Sequence, residues 1–123
     1  MILYILDFLF ARWKIITLLT IVIILIFSLF PINSISNHTH SDKIGHLLMY
    51  SLLTLPISIV KPSHHHLLYF FFICLGGFIE IIQPLFNRYQ DLLDFIFNTA
   101  GVLLGIFLGI MVRKKYSHLT CFN

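Results

Sequence analysis

The sequence predicts an all-α fold, an integral membrane bundle of four transmembrane helices. Three observations predict it. Of the 123 residues, 59% are hydrophobic and 11% are charged, against about 25% charged in an ordinary soluble domain. The mean hydropathy is +0.95, and a chain this short cannot hide so much apolar surface in one water-facing core. The apolar residues also fall into four runs parted by short polar breaks, each near the length that crosses a hydrocarbon layer.

Met1 to Phe10 is apolar except for Asp7. It is too short to span and reads as an interfacial helix or a prolongation of the first span. Arg12, Trp13 and Lys14 form a basic and aromatic anchor, as found at membrane surfaces. Residues 1–14 are thus an N-terminal segment, 15–112 the transmembrane domain and 113–123 a tail. Ile15 to Phe30 is the first span, with no charge inside it. A cleaved leader ending near Ser34-Ile-Ser36 competes with that reading, but the apolar run exceeds the usual length of such leaders. Pro31 to Ser41 is a polar loop, and Asp42 suits an N-cap or first helical turn.

Ile44 to Val60 is the second span, kinked at Pro56. Lys61 to His66 is a tight polar connection. Leu67 to Gln83 is the third span, ended or bent by Pro84. Leu85 to Gln90 is a loop, and Leu92 to Val112 is the fourth span, closed by Arg113, Lys114 and Lys115. Cys74 lies inside an apolar run and Cys121 in the tail, so the two make no disulfide framework.

Basic residues set the expected orientation. With the N-terminus in the cytoplasm, Arg12, Lys14, Lys61, Arg113, Lys114 and Lys115 fall inside, while Lys43 and Arg88 fall outside. That is a positive-inside bias, with both termini cytoplasmic. The small net charge of +3 then reads as topology, and no nucleic-acid partner is expected.

Four of the five acids, Asp42, Glu80, Asp91 and Asp94, belong to the two stretches on the Lys43 and Arg88 side. Lys43, His46 and Tyr50 share a helical face at i, i+3 and i+7. Gly76, Glu80 and Gln83 share another. Asp91, Asp94, Asn98, Gly101 and Gly105 fall within a sector of about 80° at 3.6 residues per turn. A helix whose one face runs from acids through an amide to bare backbone should turn that face inward, because charge facing lipid is costly. Gly101, Gly105 and Gly109 allow close helix approach, within the bundle or between copies as an oligomer. A structural network that holds helices in register is the competing account of the ionisable layer.

Asp42-Lys43-Ile-Gly-His46, Tyr50, Glu80-Ile-Ile-Gln83, Arg88, Asp94, Asn98 and Gly101 together resemble the VanZ-like family of small bacterial membrane proteins. The likeness covers about residues 42 to 105. A Pro-Gly-Arg turn often precedes the acidic helix in that family, whereas Asn87 precedes Arg88 here and Pro84 stands earlier. The resemblance implies a multi-pass protein of the bacterial inner membrane, with a cell-envelope role. One member is linked to low-level resistance to teicoplanin, a lipid-bearing glycopeptide. The family pattern points to Asp42, Lys43, His46, Glu80, Gln83, Arg88, Asp94 and Asn98.

These residue types suit an outward-facing site for a lipid-linked or cell-wall molecule, or a lipoglycopeptide. His46 with Glu80 or Asp94 forms a candidate acid–base set. Lys43 and Arg88 suit a phosphate or carboxylate, and Asn98 a developing oxyanion. Asp42, Tyr50, Gln83 and Asp91 complete the substrate-binding expectation. Ser41 and Tyr50 are candidate nucleophiles without a recognised context. No spacing signature supports a metal, and no cofactor is expected. A non-catalytic scaffold or lipid-binding protein is the alternative class. A proton- or ion-coupled transporter is the third, opposed by the apolar inner halves of the spans.

Overall fold

The structure, a computed structural model, describes residues 1–30 and 40–118. Four α-helices carry it: α1 Ile2–Leu29, α2 His40–Val60, α3 His65–Ile82 and α4 Leu92–Tyr116, with a 3-10 turn Gln83–Phe86 after α3. All four are long and apolar enough to cross a membrane. Large apolar side chains such as Leu18, Phe70 and Phe107 point outward, as they do when lipid rather than water is outside. The loop read at 31–41 lies largely outside the described residues.

α1 runs unbroken through Arg12-Trp13-Lys14 for 28 residues. Neither Gly nor Pro occurs before Pro31, so nothing interrupts the ladder. Met1 to Phe10 is therefore a prolongation of the first helix. At 1.5 Å per residue α1 is about 42 Å long, more than the roughly 30 Å of a hydrocarbon core. α3 starts at His65, two residues before the expected Leu67, and the connection from α2 shrinks to Lys61–His64. Lys61 takes a left-handed conformation, φ 55°, which stops α2.

The core is the α2–α4 pair, the most extensive contact between elements. α3 carries the chain back across the bundle, so α2 and α4 run parallel. A Cβ placed on Gly101 would lie 2.5 Å from the Leu47 carbonyl, and one on Gly105 would lie 2.6 Å from the Ser51 carbonyl. Gly109 sits equally close to Ser58. The glycines thus let the backbone of α4 rest on α2 of the same chain. Of the two uses of this stripe left open by the sequence, the fold occupies the intramolecular one.

Buried hydroxyls of α2 serve that helix. Thr54 donates to the Tyr50 carbonyl at 2.8 Å and Ser58 to the Thr54 carbonyl at 3.0 Å. Tyr69 of α3 donates to the Ser58 hydroxyl. At the far end, the Arg113 guanidinium donates to the Ile59 and Val60 carbonyls at 2.8 and 3.0 Å. These are terminal acceptors that α2 itself leaves unmet. Arg113, read from sequence only as a topology signal, therefore also caps α2.

Candidate functional site

At the opposite end of the bundle, three segments bring their ionisable groups together. The site starts at the N-terminus of α4. Asp91 is its N-cap and accepts from the Leu93 N–H at 2.9 Å, meeting one donor that a helix start exposes. The same carboxylate receives Lys43 of α2, with Nζ 3.0 Å from Oδ2. Lys43 also lies 3.7 Å from Asp94 Oδ1. One cation thus joins α2 to the first turn of α4.

One turn deeper, His46 Nδ1 lies 2.9 Å from Asn98 Oδ1. A carbonyl oxygen only accepts, so Nδ1 carries the hydrogen. His46 Nε2 then faces Asp94 Oδ2 at 3.8 Å. The imidazole is fixed on one nitrogen by an amide and stands beside a carboxylate on the other. The side chains of Lys43, His46 and Asp94 keep 12–16% of their accessibility, so they can still meet a ligand. Tyr50 and Asn98 at 1% and Glu80 at 3% are buried.

α3 adds Glu80, whose Oε2 accepts from the Asp91 backbone N–H at 3.4 Å. Of the two acids considered for His46, the structure places Asp94 beside it and adds Asn98, which the sequence alone does not pair with it, while the hydrogen bond of Glu80 goes to the α4 start. Gln83 turns toward α1, with Nε2 donating to the Ser28 carbonyl at 3.4 Å. Pro84 diverts the chain into the 3-10 turn, and Asn87 closes it in a left-handed conformation, φ 59°, which Asn tolerates better than most residues. The turn delivers Arg88, whose guanidinium donates to the Phe27 carbonyl at 2.8 Å.

Among the described residues, two of the cavities border this layer. One, of about 300 Å³, has Asp42, His46 and Tyr50 of α2 on one side, Ile24 and Phe27 of α1 on the other, and Arg88 at its edge. The second, of about 380 Å³, is bounded by Glu80, Asp91, Gln90 and Phe95. Gly76 of α3 faces buried polar atoms. A Cβ built there would stand 3.4 Å from both Tyr50 Oη and Asn98 Nδ2. Those two atoms, with Glu80 Oε1, Gln83 Oε1 and Asp94 Oδ1, are buried without a hydrogen-bond partner. Buried polar atoms normally find partners, so these five keep unused hydrogen-bonding capacity.

Chemically, the first cavity offers a fixed imidazole, a carboxylate behind it, a guanidinium and an apolar wall. No family model, curated protein or solved structure matches this chain. The site is therefore read from its own geometry.

The ten residues singled out from sequence lie in or beside this layer; the side chain of Ser41, named as a candidate nucleophile, lies outside the described part. His46, Asp42, Tyr50 and Arg88 meet at the first cavity. Glu80 and Asp91 line the second. Lys43 and Asp94 lie between α2 and α4, Asn98 beneath them, and Gln83 against α1. Among the described residues no three His, Cys, Asp or Glu side chains gather as a metal-binding group. Sequence reasoning missed the contribution of α1, because Ile24, Phe27 and Ser28 carry no ionisable group. It also missed Gly45. A Cβ there would meet nothing within 4 Å, because Gly45 borders the first cavity.

Proposed function

We propose that this is a multi-pass protein of the bacterial cytoplasmic membrane, with both termini inside and the Lys43 end outward. In this reading it binds an amphipathic, lipid-linked or other cell-envelope molecule in the His46 cavity. The VanZ-like resemblance supports a cell-envelope role and an effect on teicoplanin susceptibility.

One observation carries the proposal. His46, oriented through Nδ1 by Asn98, lines a cavity with a guanidinium at its edge and an apolar wall. That pairing of polar and greasy surfaces fits a head group attached to a chain. His46 Nε2 is the atom that would take or give a proton, and Asp94 at 3.8 Å would pair with the imidazolium formed.

The test is expression in a sensitive Gram-positive host. Teicoplanin susceptibility should fall more than vancomycin susceptibility, because only the former drug carries a lipid tail. His46→Gln and the cavity-filling Gly45→Leu should abolish the difference at equal membrane abundance. An unchanged response with either substitution would remove the cavity from the function.

A second reading, a non-catalytic scaffold, draws on Lys43. Its contacts to both Asp91 and Asp94 tie helices together and require no ligand.

A further inference from the structure

We propose that the cavity at Arg88 selects a zwitterionic head group in which a phosphate and an ammonium are neighbours, as in an ethanolamine phospholipid. The proposal rests on the reading that this cavity binds an amphipathic molecule, and it names the ligand's class.

The charges at the cavity decide the class. Arg88 and Asp42 border the same space, yet no ion pair joins them, and among the described residues the Asp42 carboxylate has no ion pair at all. The two acids that face Lys43 are engaged by that cation. Beside the His46 imidazole, which Asp94 faces, the cavity therefore presents one guanidinium and one carboxylate that do not pair with each other. An anionic head group would gain from Arg88 and be repelled by Asp42. A purely cationic one would meet the reverse. A phosphate beside an ammonium satisfies both.

The guanidinium is also held in place. One of its N–H groups donates to the Phe27 carbonyl at 2.8 Å, near the end of α1. Arginine has five N–H donors in a planar fork, so a second edge can hold two phosphate oxygens at once. At about 300 Å³ the cavity is at the small end of ligand sites, roughly 300–1,000 Å³. It has room for a head group and the first chain carbons. The rest of an acyl chain would run along outward-facing apolar residues of α1 such as Ile23 and Phe27.

The test is titration of the purified full chain in detergent with dioctanoyl phosphatidylethanolamine, dioctanoyl phosphatidylglycerol and chain-free phosphoethanolamine. The ethanolamine lipid should bind at least about tenfold tighter than the glycerol lipid, a difference one charge contact can supply. Asp42→Asn should bring the two within about twofold by weakening the former. Asp42→Glu should keep the preference, and Arg88→Gln should weaken both lipids. Chain-free phosphoethanolamine should bind far more weakly than the lipid. Equal binding would overturn the membrane lipid as the source and leave the zwitterion standing. Glycerol lipid binding as tightly as ethanolamine lipid, with Gly45→Leu abolishing both, would overturn the zwitterion and leave the amphipathic cavity. Binding of neither lipid, or binding untouched by Gly45→Leu, would overturn both.

Discussion

His46 and Asn98 are joined across the α2–α4 contact by a hydrogen bond of 2.9 Å from Nδ1 to Oδ1. The bond directs His46 Nε2 toward Asp94. It also leaves the Asn98 amide nitrogen facing the space at Gly76, where it has no partner.

Replacing Asn98 with Leu keeps the volume and removes the acceptor. The His46 N–H is then left with no partner near the bundle interior, at a cost of about 1–3 kcal/mol. Thermal unfolding in detergent should show that loss. His46→Gln, at a partly accessible position, should cost less stability and more function. Equal proportional losses in both variants would favour the scaffold reading.

The Asp91 carboxylate both caps α4 and binds Lys43. Asp91→Asn retains a good cap and loses the charge, whereas Asp91→Ala loses both. Alanine should therefore destabilise by about 1 kcal/mol more, the usual worth of an N-cap. Lys43→Met should lower the melting temperature most at low salt, because the interaction it removes is screened by ions. A melting temperature of Lys43→Met that tracks wild type at every salt concentration would show the ion pairs to be inert.

The two glycines Gly105 and Gly45 should respond in opposite directions. A methyl on Gly105 would meet the Ser51 carbonyl at 2.6 Å and Thr54 Cβ at 2.9 Å, forcing α2 and α4 apart for about 1–3 kcal/mol. A methyl on Gly45 meets nothing and should raise stability by up to about 1 kcal/mol through helix propensity. Melting curves of Gly105→Ala and Gly45→Ala check both signs. Gly45→Leu should remain folded while the cavity fills, which makes it the cleanest probe of ligand binding.

Arg113 should matter to α2 as much as to orientation. Arg113→Met leaves the Ile59 and Val60 carbonyls uncapped, and hydrogen bonds from a charged donor are worth about 1.5–3 kcal/mol. Hydrogen exchange should rise at the last turn of α2, a helix distant in sequence. Exchange confined to α4 would contradict the capping role.

Much of the fold was legible because its cause is local. Four apolar runs divided by Pro31, Lys61-Pro62 and Pro84 define four helices, and the periodicity of Asp94, Asn98, Gly101 and Gly105 marks the buried face of α4. Where sequence reading stopped short, the missing information was spatial. Nothing in the string shows that Asn98 rather than Glu80 holds His46, because both lie at a suitable depth. The α1 wall of the cavity was invisible for a related reason, since Ile24 and Phe27 resemble every other lipid-facing residue.

By itself, then, the amino-acid sequence determined that this chain is helical, suited to lipid, and polar on one level of its bundle. Hydrophobic runs and helical period are properties of neighbours along the chain. Only the tertiary structure decided which groups meet: the parallel seating of α4 on α2 through its glycines sets Lys43 on Asp91 and His46 on Asn98. That seating depends on contacts between residues about fifty positions apart, and no local preference encodes such a register.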